Sequence, residues 1–101
     1  MKLTNEYLLR KLREGRVRDF FYCLVVAISA GNLRWKKKLS KKGKIFFFAP
    51  NFEFVVIDSN TYELHAMSSV DCSMSNVLLP REDLLTLKRV IEDQYETDRF
   101  R

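Results

Sequence analysis

Hydrophobic residues near the start of the chain recur at the spacing of an α-helix. Leu8, Leu9 and Leu12 form one stripe, and Thr4 before them can act as the N-cap. Gly15 follows the stripe and is suited to end a helix, because glycine adopts the left-handed backbone without strain. The pattern predicts a first helix between Thr4 and Gly15.

The longest apolar segment is Phe20 to Gly31, FFYCLVVAISAG. Phe20, Leu24 and Ile28 are spaced as on one helix face, although the β-branched residues of the segment also suit a buried strand. We favour the helix. The apolar stretch is too short to span a bilayer, and Asp19 directly before it argues against a signal peptide or membrane anchor.

From Leu33 onward the hydrophobic period changes to two, which is the period of a β-strand. The first predicted strand has Leu33, Trp35, Lys37 and Leu39 on one face and Arg34, Lys36 and Lys38 on the other. Three more strands follow, with the sequences KIFFFA, FEFVVI and YELHAM. In the first of these, Phe46 and its neighbours are expected to be buried. The connecting segments SKKG, PN and DSNT are short and rich in turn-forming residues, which indicates antiparallel hairpins.

The DSNT turn allows the pairing of the two strands around it to be predicted. If Asp58 pairs with Thr61, the core side combines Ile57, Val55 and Glu53 with Tyr62, Leu64 and Ala66. The other side then pairs Phe52 with Met67, Phe54 with His65 and Val56 with Glu63. A shift of one residue would exchange the two faces, because side chains alternate along a strand.

The last third of the chain predicts a loop, a short strand and a helix. SSVDCSMSN (residues 68–76) is polar and predicts a mobile loop, and VLL after it predicts a short strand. Pro80 can begin the final helix, whose apolar stripe includes Leu84, Leu87 and Ile91 and continues to Tyr95. The tail ETDRFR is expected to fray.

These elements predict an α+β fold with one or two N-terminal helices, an antiparallel meander of four to five strands, and a C-terminal helix packed on the sheet. At 101 residues the chain is expected to be a single domain spanning residues 1–101. Eight Phe, four Tyr and one Trp can fill its core without disulfides or metals.

The net charge of +5 conceals a divided charge distribution. Residues 1–49 carry thirteen Lys and Arg against three acidic residues, whereas residues 50–101 carry five basic residues against ten acidic ones. Such a division favours an anionic partner on one side of the molecule, or self-association of an acidic face with a basic face.

The strongest functional signal is the segment Arg34 to Lys44, in which seven of eleven residues are Lys or Arg. Arg34, Lys36 and Lys38 alternate along a strand at about 6.6 Å, near the repeat of phosphates on a nucleic-acid strand. We predict that the nucleic-acid-binding residues are Arg34, Trp35, Lys36, Lys38, Lys41, Lys42 and Lys44. The alternative is a lysine-rich edge strand that only discourages aggregation.

Aromatic residues beside this segment determine what kind of contact it can make. Trp35, Phe52 and Phe54 could stack on unpaired bases if they are exposed, whereas their burial would leave only electrostatic contacts. Five phosphate contacts would give a log–log salt slope of about −4.5 on duplex DNA, so affinity would fall several hundredfold between roughly 50 and 200 mM salt.

Residues able to carry out catalysis are few. His65 is the one histidine, and Asp58, Glu63, Asp71 and Cys72 are its candidate companions, but the spacing brings no such pair together. We expect His65 to pack across the strand pair against Phe54. A zinc site needs four ligands, and one His and two Cys supply three. We predict no catalytic residues, no metal and no cofactor.

The two cysteines, Cys23 and Cys72, lie in segments that we expect to be partly buried, and they lack the spacing of a metal or redox motif. They are expected to be structural thiols in a reducing compartment, which suggests a cytoplasmic protein. An intramolecular disulfide is the alternative.

We therefore expect a small, basic, non-enzymatic binding protein that contacts nucleic acid, DNA or RNA, through a Lys-rich β-hairpin. The alternative is a protein–protein interaction module, such as a small viral- or plasmid-type regulator or inhibitor of a larger machine. A third hypothesis is an enzyme centred on His65 and Cys72. A homodimer is compatible with the pattern, because the Lys-rich strand and the VLL strand can both be sheet edges. No membrane partner is expected.

Overall fold

The computed structural model describes residues 3–99, in which there are three helices and five strands. The helices are α1 (Asn5–Arg13), α2 (Val17–Ser29) and α3 (Arg81–Arg99). The strands are β1 (Lys36–Leu39), β2 (Ile45–Ala49), β3 (Phe52–Asp58), β4 (Thr61–Met67) and β5 (Met74–Val77). Phe100 and Arg101, the end of the tail predicted to fray, lie outside the described residues.

The strands form one antiparallel sheet in the order β1-β2-β3-β4-β5, in which sequence neighbours are also spatial neighbours. Helix residues Leu8, Phe20 and Leu87 belong to the same buried cluster as the sheet residues Phe54 and Leu64. All three helices therefore cover one face of the sheet. The predicted α+β meander is confirmed, with two N-terminal helices and five strands.

The opposite side of the sheet has no helix packed on it within residues 3–99. We call it the open face. The strand register assigns to it Lys36, Lys38, Phe46, Phe48, Glu53, Val55, Glu63, His65, Met67, Met74 and Asn76.

The ends of α1 have the caps that the sequence predicts. The Thr4 hydroxyl accepts a hydrogen bond from the backbone N–H of Tyr7 at 3.2 Å. At the other end Gly15 has φ of 75° and donates to the carbonyl of Leu12 at 3.0 Å, and Arg16 donates to the carbonyl of Lys11 at 2.9 Å. These two bonds satisfy carbonyls that the last helical turn leaves without partners.

The apolar segment after Gly15 is the helix α2, as favoured from its spacing. Phe20, Leu24 and Ile28 are buried along one side, whereas Tyr22 and Val26 are exposed on the other. The core-facing side explains the hydrophobicity of the segment. Among the described residues, no helix is long and apolar enough to cross a membrane.

The turn between β3 and β4 has the predicted pairing of Asp58 with Thr61, with Ser59 and Asn60 between them. The Asp58 carboxylate accepts a hydrogen bond from the backbone N–H of Asn60 at 2.8 Å. This bond, helped by one from the Thr61 side chain, holds the pKa of the Asp58 carboxyl below its ordinary value.

The predicted register beyond this turn is wrong for β3, because the strand contains a β-bulge at Ile57. Asp58 pairs with Thr61 but Val56, not Ile57, pairs with Tyr62, so the pairing shifts by one residue. Phe52, Phe54 and Val56 consequently face the helices, and Glu53 and Val55 lie on the open face. For β4 the prediction is confirmed, since Tyr62, Leu64 and Ala66 face the core.

The magnitudes explain why the bulge prevails. Without it, Glu53 would be directed into the core, and burying an unpaired carboxylate costs several kcal/mol. A bulge disturbs one step of the ladder, and a backbone hydrogen bond contributes about 1 kcal/mol. The bulge also buries Phe54 completely.

The last strand begins earlier than predicted. The strand β5 is MSNV and shares only Val77 with the predicted VLL segment. A tight turn causes this, because the Ser68 N–H donates to the Ser73 carbonyl and the Cys72 N–H donates to the Ser68 carbonyl. The chain therefore reverses by residue 73, so the last third of the stretch predicted as a polar loop, residues 74–76, is strand.

The final helix extends further than predicted, through Arg99 rather than fraying from Glu96. Asp98, within the predicted tail, accepts a hydrogen bond from the Arg34 guanidinium at 2.7 Å. This ion pair ties the last turn of α3 to the chain just before β1.

Asn51 joins three parts of the fold at the turn between β2 and β3. Its side-chain Nδ2 donates to the carbonyl of Met67 at 3.0 Å and to the hydroxyl of Ser69 at 2.9 Å. Its Oδ1 accepts from the amide of Asn5 at 3.1 Å, at the start of α1. Asn51 also has φ of 68°, a left-handed conformation that Asn tolerates better than most residues.

Two substitutions at this position should separate its two contributions. Asn51→Gly removes the side-chain hydrogen bonds but keeps the backbone relaxed, and should lower the free energy of unfolding by about 1–2 kcal/mol. Asn51→Ala should lower it by about 1 kcal/mol more, because a Cβ is strained at positive φ. Urea unfolding followed by Trp35 fluorescence measures both. Equal stability of the two variants would contradict the backbone contribution.

Candidate nucleic-acid interface

The hairpin of β1 and β2 presents its lysines through a well-ordered turn. The Ser40 N–H donates to the Lys44 carbonyl at 2.9 Å, and the Ser40 hydroxyl accepts from the Lys44 N–H at 3.0 Å. Gly43 has φ of 82°, a left-handed conformation that glycine adopts without strain, and its N–H donates to the Ser40 carbonyl at 3.1 Å. Lys41 and Lys42 are exposed at the tip.

The strand β1 (Lys36–Leu39) lies at one edge of the sheet and begins later than predicted. Arg34 precedes it and pairs with Asp98 of α3, so the predicted row of Arg34, Lys36 and Lys38 is wrong for Arg34. Lys36 and Lys38 are exposed on the open face. Lys37 points to the helix side, where its ammonium lies 5.7 Å from the centre of the Tyr95 ring of α3. Lys36 and Lys38 thus lie on the opposite face of the sheet from Lys37.

Most of the predicted basic residues have no acidic partner nearby. Among the described residues, no carboxylate oxygen lies within 4.0 Å of the ammonium groups of Lys36, Lys38, Lys41, Lys42 and Lys44. Arg34 differs, because its ion pair with Asp98 already compensates part of its charge. The uncompensated charge is therefore concentrated on the five lysines rather than on Arg34.

The exposure that Trp35, Phe52 and Phe54 would need in order to stack on bases is absent in the folded chain. Their side chains are 4%, 4% and 0% exposed, respectively, and all three belong to the core cluster. Trp35, directly before β1, instead packs in the core and anchors the start of that strand. Because these three side chains are buried, they cannot stack on bases, and the predicted residues of the hairpin can make only electrostatic contacts.

Two other aromatics take the open-face positions. Phe46 and Phe48 of β2 are half-buried, and their rings stack with centroids 6.0 Å apart and planes 14° apart. The expected burial of Phe46 and its neighbours is confirmed for Phe47 but not for Phe46 or Phe48. Phe47 is buried, but strand alternation places the residues on either side of it on the open face.

A shallow depression of about 500 Å³ lies over this aromatic pair. Its lining includes Phe46 and Phe48 together with Lys38, Lys41 and Glu53. Apolar rings therefore form part of its floor, and lysines of β1 and the turn stand at its edge.

Cross-strand register arranges the open face in rows that change from basic to acidic. In one row Lys36, Phe48, Glu53 and His65 follow one another across the sheet. In the next row the order is Lys38, Phe46, Val55 and Glu63. Each row thus has a cation at the sheet edge, an aromatic ring beside it and a carboxylate further in.

The inner end of the open face is a cluster of one histidine and two glutamates. The His65 Nδ1 lies 3.2 Å from a carboxylate oxygen of Glu53, and its Nε2 lies 2.9 Å from one of Glu63. The expected packing of His65 against Phe54 is wrong, because the bulge turns Phe54 to the other side of the sheet. The sequence signal that could have revealed the cluster is the alternation of Glu63 with His65 on β4.

The residues of the enzyme hypothesis are not brought together. Both ring nitrogens of His65 are engaged by glutamates, while Cys72 is exposed in the turn between β4 and β5. Cys23 is half-buried as expected and Cys72 is not, and both are free thiols rather than a disulfide. Within residues 3–99, no group of three or more His, Cys, Asp or Glu side chains is arranged to hold a metal ion.

Gln94 of α3 fixes the base of the hairpin. Its side-chain Nε2 donates to the carbonyl of Ile28 at 2.8 Å and to the carbonyl of Leu33 at 2.7 Å. Its Oε1 accepts from the Trp35 N–H at 2.9 Å. One amide thereby joins the end of α2, the start of β1 and α3, a role that no local sequence pattern indicates.

The chain has no significant match among protein-family models, curated proteins or solved structures.

Replacing Gln94 should test how far this amide supports the hairpin. Gln94→Ala leaves one N–H and two carbonyls without their partner and should lower the free energy of unfolding by roughly 2 kcal/mol. Thr97→Ala, at an exposed position on the same helix, is the matched control and should change it by less than about 0.5 kcal/mol. Urea unfolding measures both variants, and equal effects would contradict the anchoring role of Gln94.

Proposed function

We propose that this protein binds nucleic acid without catalysing a reaction, through the β1–β2 hairpin and the basic edge of the open face. The observation that carries the proposal is the group of five neighbouring lysines, Lys36, Lys38, Lys41, Lys42 and Lys44, with no carboxylate within 4.0 Å of them in the described chain. Such a concentration of cations attracts a polyanion and releases its counterions on binding.

Edge protection alone accounts less well for the arrangement. Lysines on an edge strand prevent sheet-to-sheet pairing, and the exposed lysines of β1 would suffice for that purpose. Lys41, Lys42 and Lys44 lie in or beside the turn, outside the strand edge that needs protection. Their position extends the positive surface beyond the sheet, which favours contact with a long anionic partner.

Charge removal at the hairpin tests this proposal. Changing Lys36, Lys38, Lys41 and Lys42 together to Gln should weaken binding of a fluorescein-labelled oligonucleotide at least tenfold at low salt, because four phosphate contacts are lost. Fluorescence anisotropy at several salt concentrations should also show a smaller salt slope. The native chain should lose about a hundredfold in affinity between roughly 50 and 200 mM salt if five contacts form on a single strand.

A matched variant separates position from net charge. Changing Arg10, Lys11, Arg13 and Arg89 to Gln removes the same number of charges from α1 and α3 and also leaves a net charge of +1. Its binding should stay within about threefold of the native chain. Equal weakening by the two variants, or no binding by the native chain, would contradict a site at the hairpin.

A protein partner is the second candidate function, favoured by exposed apolar residues around β5. Val70 is 87% exposed, Leu78 82%, Met74 54% and Met67 37%. The strand β5 is an uncharged sheet edge, unlike β1, and therefore lacks the usual protection against pairing with another strand. These features favour strand addition at β5, with a second copy of the chain as the partner.

Sedimentation equilibrium over a range of protein concentrations tests this candidate. The native chain should dimerise, and a variant with Met74→Lys and Asn76→Lys should remain monomeric, because charges on an edge strand oppose pairing. The control is Tyr22→Lys with Val26→Lys, which places the same charges on the exposed side of α2. A native chain that is monomeric at every concentration would refute self-association through β5.

A further inference from the structure

We infer that the open face selects single-stranded over duplex nucleic acid, with bases laid against Phe46 and Phe48 and the sugar–phosphate backbone along the lysines of β1. The inference rests on the proposed function and specifies the class of nucleic acid. Its basis is the alignment of lysines with aromatic rings in the rows of the open face. The lysines of the hairpin alone would not distinguish a single strand from a duplex.

Each row matches the layout of one nucleotide. Lys36 lies opposite Phe48 and Lys38 opposite Phe46, and neighbouring strands are about 4.8 Å apart. A phosphate held by the lysine therefore has an aromatic ring within the reach of its own base. The two rows repeat along β1 at about 6.6 Å, so two consecutive nucleotides of an extended strand can occupy them together.

The aromatic pair can accept bases only from outside. The rings of Phe46 and Phe48 are already stacked on each other at 6.0 Å between centroids, so a base contacts the outer surface of the pair instead of entering between them. In a duplex, the bases are paired and stacked and do not present their faces to a sheet. Only an unpaired strand can use this surface.

The acidic end of the open face orients the bound strand. Glu53 and Glu63 lie further across the sheet than the rings and carry negative charge on both sides of His65. Phosphates are repelled from this end and attracted to the lysine edge, so the backbone lies along β1 and the bases point towards β3. The charge gradient thus complements the two parts of a nucleotide.

The experiment compares an oligothymidylate of about ten nucleotides with a duplex of the same length, both labelled with fluorescein. The native chain should bind the single strand at least about tenfold more tightly at equal salt, since stacking of one base alone contributes about tenfold or more. A variant with Phe46→Leu and Phe48→Leu should lose that preference while binding the duplex as the native chain does. A variant with Phe46→Tyr and Phe48→Tyr keeps the aromatic rings and should retain the preference for the single strand.

A measurement on the native chain guards against misfolding of the leucine variant. Adding unlabelled oligothymidylate should shift the ring proton resonances of Phe46 and Phe48 upfield, whereas the duplex should leave them unchanged. The stacking inference would be overturned if the leucine variant bound the single strand as the native chain does and the resonances did not shift. If the four-lysine variant still lost binding, the proposed function would stand. Failure of the native chain to bind either probe would overturn both.

Discussion

The β-bulge at Ile57 is the feature on which the rest of the structure depends. One extra residue exchanges the two faces of the rest of β3, from Val56 back to Phe52. Phe52 and Phe54 then enter the core, and Glu53 leaves it. The alternative register would have to bury a carboxylate without a cation, which costs more than the bulge does.

The bulge also creates the chemistry of the open face. Because Glu53 is turned outward, it lies opposite His65 on one side and Phe48 on the other. The basic edge, the aromatic pair and the acidic cluster are thereby aligned in cross-strand rows. The lysine-rich hairpin is thus the basic edge of a surface whose charge changes from positive at β1 to negative at β3 and β4. This change of charge supports both the proposed function and the proposed orientation of a bound strand.

The divided charge of the chain is partly neutralised within the fold. Helix α3 supplies acidic partners to the basic N-terminal half, through Asp83 with Arg18 and Asp98 with Arg34. In both pairs the arginine is more than half exposed, so water screens the attraction and the pairs add little to stability. Their greater effect is on the distribution of charge, since α3 compensates Arg18 and Arg34 while the hairpin lysines have no acidic partner among the described residues.

Local sequence determined much of the architecture. Thr4 and Gly15 mark the ends of α1 through preferences that act within a few residues, and the change of hydrophobic period at Leu33 separates helices from strands. The lysines of the hairpin and their alternation could likewise be predicted. By contrast, the burial of Trp35 and the position of the half-buried Phe46 and Phe48 on the open face depended on which face the helices cover. The sequence also determined that β4 presents Tyr62, Leu64 and Ala66 to the core.

Tertiary structure alone decided the bulge, the anchoring by Gln94 and the extension of α3 to Arg99. Each depends on residues distant in sequence: Gln94 bonds to Ile28 and Leu33, and Asp98 bonds to Arg34. Periodicity describes which residues share a face but not which of the two faces is covered, because that choice follows from the balance of burial across the whole sheet. The candidate site lies on the face that this balance left uncovered.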